Sequence, residues 1–437
     1  MIRPSPHDRE IWRLAVPAFG ALVAEPLFLL SDSAIVGHLG TAQLGGLGVA
    51  GQALATLVYL CVFLAYGTTA GVARRVGAGD MRAAVRQGID GMWLALAIGA
   101  VLIVAGWPLV PWLVGAFGAS AEVTPYAETY LRVSLFGVPG MLVVLAGTGV
   151  LRGLQDTRTP LVVSVGGFSV NLALNVLLVI GLGWGIGGSA AGTVLAQTVS
   201  AAVYVAVVLR AARRHGAPVR PDLAGVRTAA SAGAGLLLRT AALRAVLIVG
   251  TAIAARMGDA EIAAYQVGFQ VWTLLAFALD AIAIAGQAIT GRYLGASDTV
   301  GTRAVTRRMV GWGVACGVVF GGSILVVRPW LPGLFTGDGD VRGLLLSSLL
   351  VVALLQPVAG VVFVLDGILI GAGDGGYLAV TTLVATLVFL PAALALYAAG
   401  AGLLGLWLAI GVWMATRMVT LGWRARGDAW MVMGAVR

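Results

Sequence analysis

The sequence contains no lysine; all 28 basic residues are arginine. Charge of either sign is scarce, at 11% of 437 residues, where a soluble domain carries about 25%. A soluble enzyme, a disordered chain and a nucleic-acid binder are excluded on that ground, because each depends on charged surface. Cysteine occurs twice, at Cys61 and Cys316, both inside apolar runs, which gives neither a disulfide framework nor a zinc-ligand spacing. The three histidines, His7, His38 and His215, are scattered. No metal site and no cofactor are expected.

What the chain has is apolar residue, 59% of the total. The runs fall at 14–36, 46–73, 89–113, 131–151, 160–183, 186–209, 236–256, 262–291, 309–331, 343–370, 377–399 and 401–423. A bilayer-spanning helix needs about 20 apolar residues. Strands of a membrane barrel would alternate every second residue over about ten, and these runs are too long and too uniform for that. The first run holds Glu25 and Asp32 and has no small-residue cleavage site, so it reads as a retained helix and not a signal peptide. The expected fold is all-α and integral to the membrane, with 12 transmembrane helices.

Twelve spans put both termini on one side. With that side taken as cytoplasmic, 24 arginines fall inside and four outside: Arg132, Arg256, Arg328 and Arg342. Such a bias is what the positive-inside rule requires, and shifting the spans by one would reverse it. The net charge of +9 is therefore read as loop bias in a multi-pass protein of the inner (plasma) membrane, with both termini cytoplasmic.

An internal repeat appears at an offset of 218. Arg74, Gly77, Ala78 and Asp80 meet Arg292, Gly295, Ala296 and Asp298. Pro111, Trp112 and Leu113 meet Pro329, Trp330 and Leu331; Pro139 meets Pro357; Leu151, Gly153 and Asp156 meet Leu369, Gly371 and Asp374. Chance aligns alanines in so biased a chain, but rarely Trp, Pro and Asp at one shift. The expectation is two pseudo-symmetric six-helix lobes, 1–209 and 232–437, joined by a cytoplasmic linker 210–231. An even span count gives both lobes the same orientation, as in parallel transporter repeats, with the site in the cleft between them.

Four acids are embedded: Glu25 and Asp32 in span 1, Asp280 in span 8 and Asp366 in span 10. Such residues are costly at membrane depth and mark pathways unless they are paired structurally. Glu25 and Asp32 are seven apart, on one helix face. Pro17 and Pro26 lie in the same span, and each frees a carbonyl one turn back, so they are candidate hinges. Burial disfavours the charged form of a carboxyl group, which makes an embedded acid on a bendable helix a workable proton switch. Asn171 and Asn175 are one turn apart in span 5, as are Thr193 and Gln197 in span 6. They are placed either to tune Asp32 or to glue helices together. Tyr265, Phe269 and Trp272 follow i, i+4, i+7 in span 8, with Asp280 and Gln287 further on. With Glu25 and Asp366 they would suit a flat organic cation; an interfacial aromatic belt is the alternative.

These features together resemble the multidrug and toxic compound extrusion (MATE) exporters, in the branch similar to the bacterial DNA-damage-inducible F protein. The resemblance rests on LAVPAFGALVAEPLFLLSDSAIVGHLG in span 1, on VARRVGAGD and ITGRYLGASD after spans 2 and 8, and on LRGLQDTRTP and LIGAGDGGY after spans 4 and 10. It implies two six-helix lobes around a cavity and export of varied, often cationic, small organic compounds by alternating access in exchange for H⁺ or Na⁺, with H⁺ favoured. By position it implies cation coupling at Asp32, Asn171 and Thr193 and a bend at Pro17. Asn175 falls where some relatives carry a second Asp. Substrate roles for Glu25, Asp280, Asp366, Tyr265, Phe269, Trp272 and Gln287 are a reading of the residues alone. A monomer in contact with lipid suffices for this design, and no nucleic-acid partner is expected.

Two rivals come from other classes. Gly77-Ala78-Gly79-Asp80 and Gly371-Ala372-Gly373-Asp374 read G-x-G-D, as in intramembrane aspartyl proteases, but both lie at span ends and not at one shared depth. A lipid or lipid-linked-sugar flippase would want a cationic cavity, whereas the embedded charges read as acidic. The expectation is a transporter and not an enzyme.

Overall fold

The computed structural model of the chain describes residues 5–436, apart from the side chain of Glu25. Glu25 as a substrate-binding acid therefore lies outside the described side chains. The helices are α1 (Pro6–Gly37), α2 (Thr41–Leu60), α3 (Phe63–Gly77), α4 (Met81–Ala116), α5 (Thr124–Leu135), α6 (Val138–Gly153), α7 (Arg158–Asn175), α8 (Gly185–His215), α9 (Leu223–Met257), α10 (Asp259–Gly295), α11 (Thr299–Val327), α12 (Leu331–Phe335), α13 (Gly339–Gly371), α14 (Gly375–Ala398) and α15 (Gly402–Arg426). No strand occurs among the described residues. Eleven of these stretches are long and apolar enough to cross a membrane, and α5 with α6, bent by 53° at their joint, brings the number to twelve. The protein is an all-α, multi-pass membrane protein, as the run lengths require.

By packing, the chain divides into two units. One comprises 17–233; the other comprises 234–435 together with 5–16. Helices α1 and α9 each begin in one unit and continue in the other. Helix α8 runs on to His215, so only 216–222 separate it from α9.

The 218-residue repeat is visible in backbone geometry. Four helices end on the same cap, in which an N–H reaches back five residues: Asp80 to Arg75 O at 3.0 Å, Asp298 to Tyr293 O at 3.0 Å, Asp156 to Leu151 O at 2.8 Å and Asp374 to Leu369 O at 2.9 Å. The preceding residue has positive φ in each case, at Gly79, Ser297, Gln155 and Gly373. This is a Schellman-type helix end, which satisfies the last free carbonyls. Asp80 and Asp298 then cap the next helix, accepting from Ala83 N at 2.8 Å and Gly301 N at 2.7 Å.

Helix crossings repeat as well. Apolar lipid gives little drive for apolar faces to associate, so small residues that let backbones approach do the packing. A Cβ on Gly149 would stand 2.5 Å from Ala65 O, and one on its mate Gly367 would stand 2.4 Å from Ala283 O. A Cβ on Gly99 would stand 2.6 Å from Pro139 Cα, and one on Gly317 would stand 2.7 Å from Pro357 Cα.

The halves differ in continuity. The first is broken at 61–62, between α2 and α3, and at 136–137, between α5 and α6; α10 and α13 run straight through the equivalent positions. Pro139 and Pro357 are mates, yet only the first copy bends. Gly137 stands where the second copy has Leu355, and glycine disfavours helix by about 1 kcal/mol against the best formers. The first copy therefore has the weaker helix at the point where proline has already removed a hydrogen bond.

Candidate functional site

Asp32 is 2% exposed and is held by three helices of its own unit. Asn175 Nδ2 donates to Asp32 Oδ1 at 2.8 Å, and Ser189 Oγ donates to the same oxygen at 2.7 Å. Tyr130 OH approaches Asp32 Oδ2 at 3.5 Å. Behind them, Asn175 Nδ2 also donates to Asn171 Oδ1 at 2.9 Å, and Asn171 Nδ2 donates to Thr193 Oγ1 at 3.1 Å. Tyr130, Asn171, Asn175, Ser189 and Thr193 are all buried. One polar atom is left over: Asn175 Oδ1 is buried without a hydrogen-bond partner.

Local sequence explains the convergence. Asn171 and Asn175 are four apart on α7, and Ser189 and Thr193 are four apart on α8, so each pair presents one helix face. Directly after Asn175 the helix widens into a π-helical segment, Val176–Gly181. Such widened turns are frequent at functional sites. The sequence reading brought Asp32, Asn171, Asn175 and Thr193 together; it missed Ser189 and Tyr130. Ser189 lies one turn before Thr193 on the same face, a signal that was available. Tyr130 sits in the short amphipathic helix α5, where nothing in the sequence marks it.

The proposed hinges Pro17 and Pro26 both lie inside α1, which continues as helix across them. Pro17 is also the residue at which α1 passes from one unit to the other.

In the second half the candidates do not form one cluster. Asp366 is buried on α13 and is gripped by Arg239 of α9, whose Nε donates at 3.1 Å and whose Nη2 forms a second, very short contact. Arg417 of α15 adds its Nη2 at 3.5 Å from Asp366 Oδ1 and lies 5.1 Å over Trp413. The expectation that embedded charges are all acidic is thus corrected. Arg239 and Arg417, counted with the loops on sequence, lie well inside α9 and α15 and are each 6% exposed. Each lies a few residues inside an apolar run, 236–256 and 401–423, and the softness of run ends hid them.

Tyr265, Phe269 and Trp272 do share a face of α10. Tyr265 stacks on Phe269 at 6.0 Å, and Tyr265 and Trp272 approach Trp407 of α15 at 5.8 and 6.5 Å. Tyr265, Trp272 and Trp407 are buried, so these rings pack on one another between helices. Asp280 is half-buried on α10, and Gln287 is buried where α10 crosses α13. The repeat mates Trp112 and Trp330, by contrast, are both 68% exposed.

The two G-x-G-D stretches have a structural account. Asp80 is a helix cap, and Asp374 accepts from Arg424 Nε at 2.8 Å. Both are turn residues with fixed partners, which leaves the protease reading without a pair of acids.

Comparison with known proteins decides the class. A family model described as MatE matches residues 17–177 and 236–395, one match in each half. The chain belongs to the MatE family. It is a transporter, not an enzyme. The protein is 30% identical to Protein DETOXIFICATION 44, chloroplastic, of Arabidopsis thaliana, over 97% of this chain and 84% of that one. It is 29% identical to DNA damage-inducible protein F of Escherichia coli (strain K12), over 97% and 94%. A crystal structure of MATE in the bent conformation superposes with a TM-score of 0.89 at 22% identity, covering 98% of this chain and 96% of that one.

Proposed function

We propose that this MatE-family transporter exports small organic molecules from the cell in exchange for H⁺, with Asp32 as the coupling carboxyl group. The Arg distribution supports a plasma-membrane orientation with cytoplasmic termini. Relatives named as probable multidrug resistance proteins, in Thermotoga maritima and Pseudomonas putida, favour xenobiotic cargo. The chemistry of the first half carries the reading: one buried carboxyl group, surrounded by donors matched to its ionised form.

Protonation reverses that match. A protonated carboxyl oxygen is itself a donor and needs an acceptor. Ser189 Oγ and Asn175 Nδ2 both donate to Asp32 Oδ1, so an arriving proton goes to Oδ2, which faces Tyr130 OH at 3.5 Å, a hydroxyl that can turn to accept it. Asn175 Oδ1, buried without a partner, is a second acceptor in the cluster. Because Asn175 is neutral and no second acid joins the cluster among the described residues, the site takes a single positive charge. Side-chain donors, rather than a shell of carbonyl oxygens, favour H⁺ over Na⁺. Transport then follows alternating access, driven by about 2.3 kcal/mol per charge per 100 mV plus the pH gradient.

A second reading draws on the Arg239–Asp366–Arg417 cluster, whose net positive charge suits anionic cargo or a lipid phosphate. One experiment separates these. Purified protein is reconstituted in liposomes, a pH jump is imposed, and flux of organic cations, organic acids and a fluorescent lipid is followed for wild type and Asp32→Asn. The expected outcome is cation flux that follows the pH jump and falls to the protein-free background in Asp32→Asn. Equal flux in the two proteins removes Asp32 from coupling, and flux that follows a Na⁺ gradient at fixed potential replaces the ion.

A further inference from the structure

A cleft of about 220 Å³ lies in the first unit, where the end of α3, the start of α4 and the start of α9 meet. Its lining is of mixed charge: Arg75, Arg86, Gln87, Asp90, Asp222 and Thr228. On the orientation proposed from the arginine bias, this end of the helices is the cytoplasmic interface, where lipid headgroups lie. None of these residues belongs to the Asp32 cluster.

Arg86 Nη2 reaches Asp222 at 3.3 Å, and Trp93 Nε1 donates to Val219 O at 3.0 Å, so the segment leading into α9 is tied to α4. Two polar atoms stay unfilled. Asp90 is 3% exposed, and its Oδ1 has no hydrogen-bond partner. Arg86 Nε lies 3.6 Å from Asp90 Oδ2, too far for a hydrogen bond, and is buried without another partner. A buried acid left half-satisfied is costly, and more so near the membrane. The remainder at the cleft is one acceptor and one donor, which a ligand carrying both charges would answer.

The repeat shows that this space belongs to the first copy. At the offset of 218, Arg75 corresponds to Tyr293, Gly225 to His7 and Thr228 to Glu10. The second unit fills those places: the rings of His7 and Tyr293 meet edge to face at 6.1 Å, and Glu10 pairs with Arg292 at 2.5 Å. In the first unit Gly225 brings bare backbone to the acid, since a Cβ there would stand 2.2 Å from Asp90 Oδ2. A stripe continues from the cleft. Asp90, Trp93, Ala97, Val101 and Val104 follow three- and four-residue steps on one face of α4, and the four beyond Asp90 are exposed and apolar.

We propose that the cleft binds the headgroup of an aminophospholipid, whose acyl chain lies along the Trp93–Val104 stripe. The phosphate accepts from Arg75 and Arg86, and the primary ammonium donates to Asp90 and Asp222. An ammonium has three N–H donors, enough for both carboxyl groups. A trimethylammonium has none, and an anionic headgroup adds negative charge beside two acids. The proposal asks nothing of Asp32, so it stands or falls apart from the antiport reading.

The whole protein in detergent is titrated with phosphatidylethanolamine, phosphatidylcholine and phosphatidylglycerol of the same acyl chains, and bound lipid is read by native mass spectrometry. Phosphatidylethanolamine is expected to bind about tenfold tighter than phosphatidylcholine, the difference that one charge-assisted hydrogen bond makes. Asp222→Asn, at a half-exposed side chain, is expected to erase that preference with melting temperature near wild type. Arg75→Gln is expected to weaken both lipids, since both carry the phosphate. Thr228→Trp, at an exposed position, fills the cleft and is expected to lower phosphatidylethanolamine binding even if Asp222→Asn does not fold. Equal binding of the ethanolamine and choline lipids by wild type overturns the proposal, as does tighter binding of phosphatidylglycerol. So does a preference that survives in both Asp222→Asn and Thr228→Trp. Soluble phosphoethanolamine that displaces the lipid at equal concentration overturns the assignment to lipid, because the acyl stripe then contributes nothing.

Discussion

The two halves of this protein share a frame and differ in what the frame holds. At the mates of Asp32, Asn171, Asn175, Ser189 and Thr193, the second half carries Gly250, Phe389, Ala393, Trp407 and Gly411. Its space is filled as well as depolarised: a Cβ on Gly250 would stand 2.6 Å from Tyr265 OH, and Trp407 is fully buried against that ring. Conversely, the second half's Arg239, Asp366 and Arg417 correspond to Ala21, Thr148 and Val199. Turns and helix crossings kept their geometry through the duplication while these polar positions diverged. Crossings depend on backbone approach and tolerate no side chain; interiors depend on side chains alone. The first half holds one buried acid among neutral donors. The second holds its buried acid between two arginines.

The sharpest way to break this contrast is to remove Arg239. Breaking a buried ion pair by deleting one partner costs about 3–5 kcal/mol, because the charge left behind is uncompensated. Arg239→Met is expected to lower stability by that order, since Arg417 reaches Asp366 only at 3.5 Å. Adding Asp366→Leu removes the stranded charge and is expected to restore most of the loss. Thermal melting in detergent checks both. If the single variant melts like wild type, the cluster is not structural, and Asp366 returns as a cargo-binding acid.

Glycine crossings come next. Gly149→Ala and Gly367→Ala each push a methyl to within contact of a backbone oxygen on the neighbouring helix. Overpacking of this kind costs about 1–3 kcal/mol. Because the crossings are mates, the two variants are expected to lose melting temperature to a similar extent. A loss in one half only would show that the shared frame is not shared in energy.

Much of this was readable before any coordinates, for identifiable reasons. Span number and the repeat follow from apolar run length and from Trp, Pro and Asp pairs at one offset. Asp32 announced itself because a carboxylate at membrane depth is costly wherever it stands. Asn171, Asn175 and Thr193 followed from one-turn spacing. The buried arginines did not, since Arg239 and Arg417 lie a few residues inside the runs 236–256 and 401–423, where run ends are too soft to separate a loop residue from an embedded one. The aromatic face of α10 was legible as a face, but its partner Trp407 is 142 residues further along and shares no pattern with it. Helix breaks were equally hidden: Pro139 and Pro357 look alike, and only the neighbouring glycine separates a bend from a straight helix.

The smallest effect is expected at Thr148, and it refines the comparison most directly because Thr148 is the mate of Asp366. Thr148 Oγ1 and Tyr204 OH form a neutral hydrogen bond at 2.9 Å between α6 and α8. Interhelical polar contacts in membranes average about 0.6 kcal/mol, since the unfolded chain in lipid also finds partners. Thr148→Val keeps the side-chain shape and leaves Tyr204 without that partner. A loss of no more than about 1 kcal/mol is expected, against several for Arg239→Met at the equivalent layer of the other half. Melting of the two variants under one condition measures the difference. A loss at Thr148 as large as that at Arg239 would mean that depth in the frame sets the cost. A small one means that the cost is set by net charge, and that the duplication placed the protein's switch and its fixed ionic anchor in opposite halves of the same scaffold.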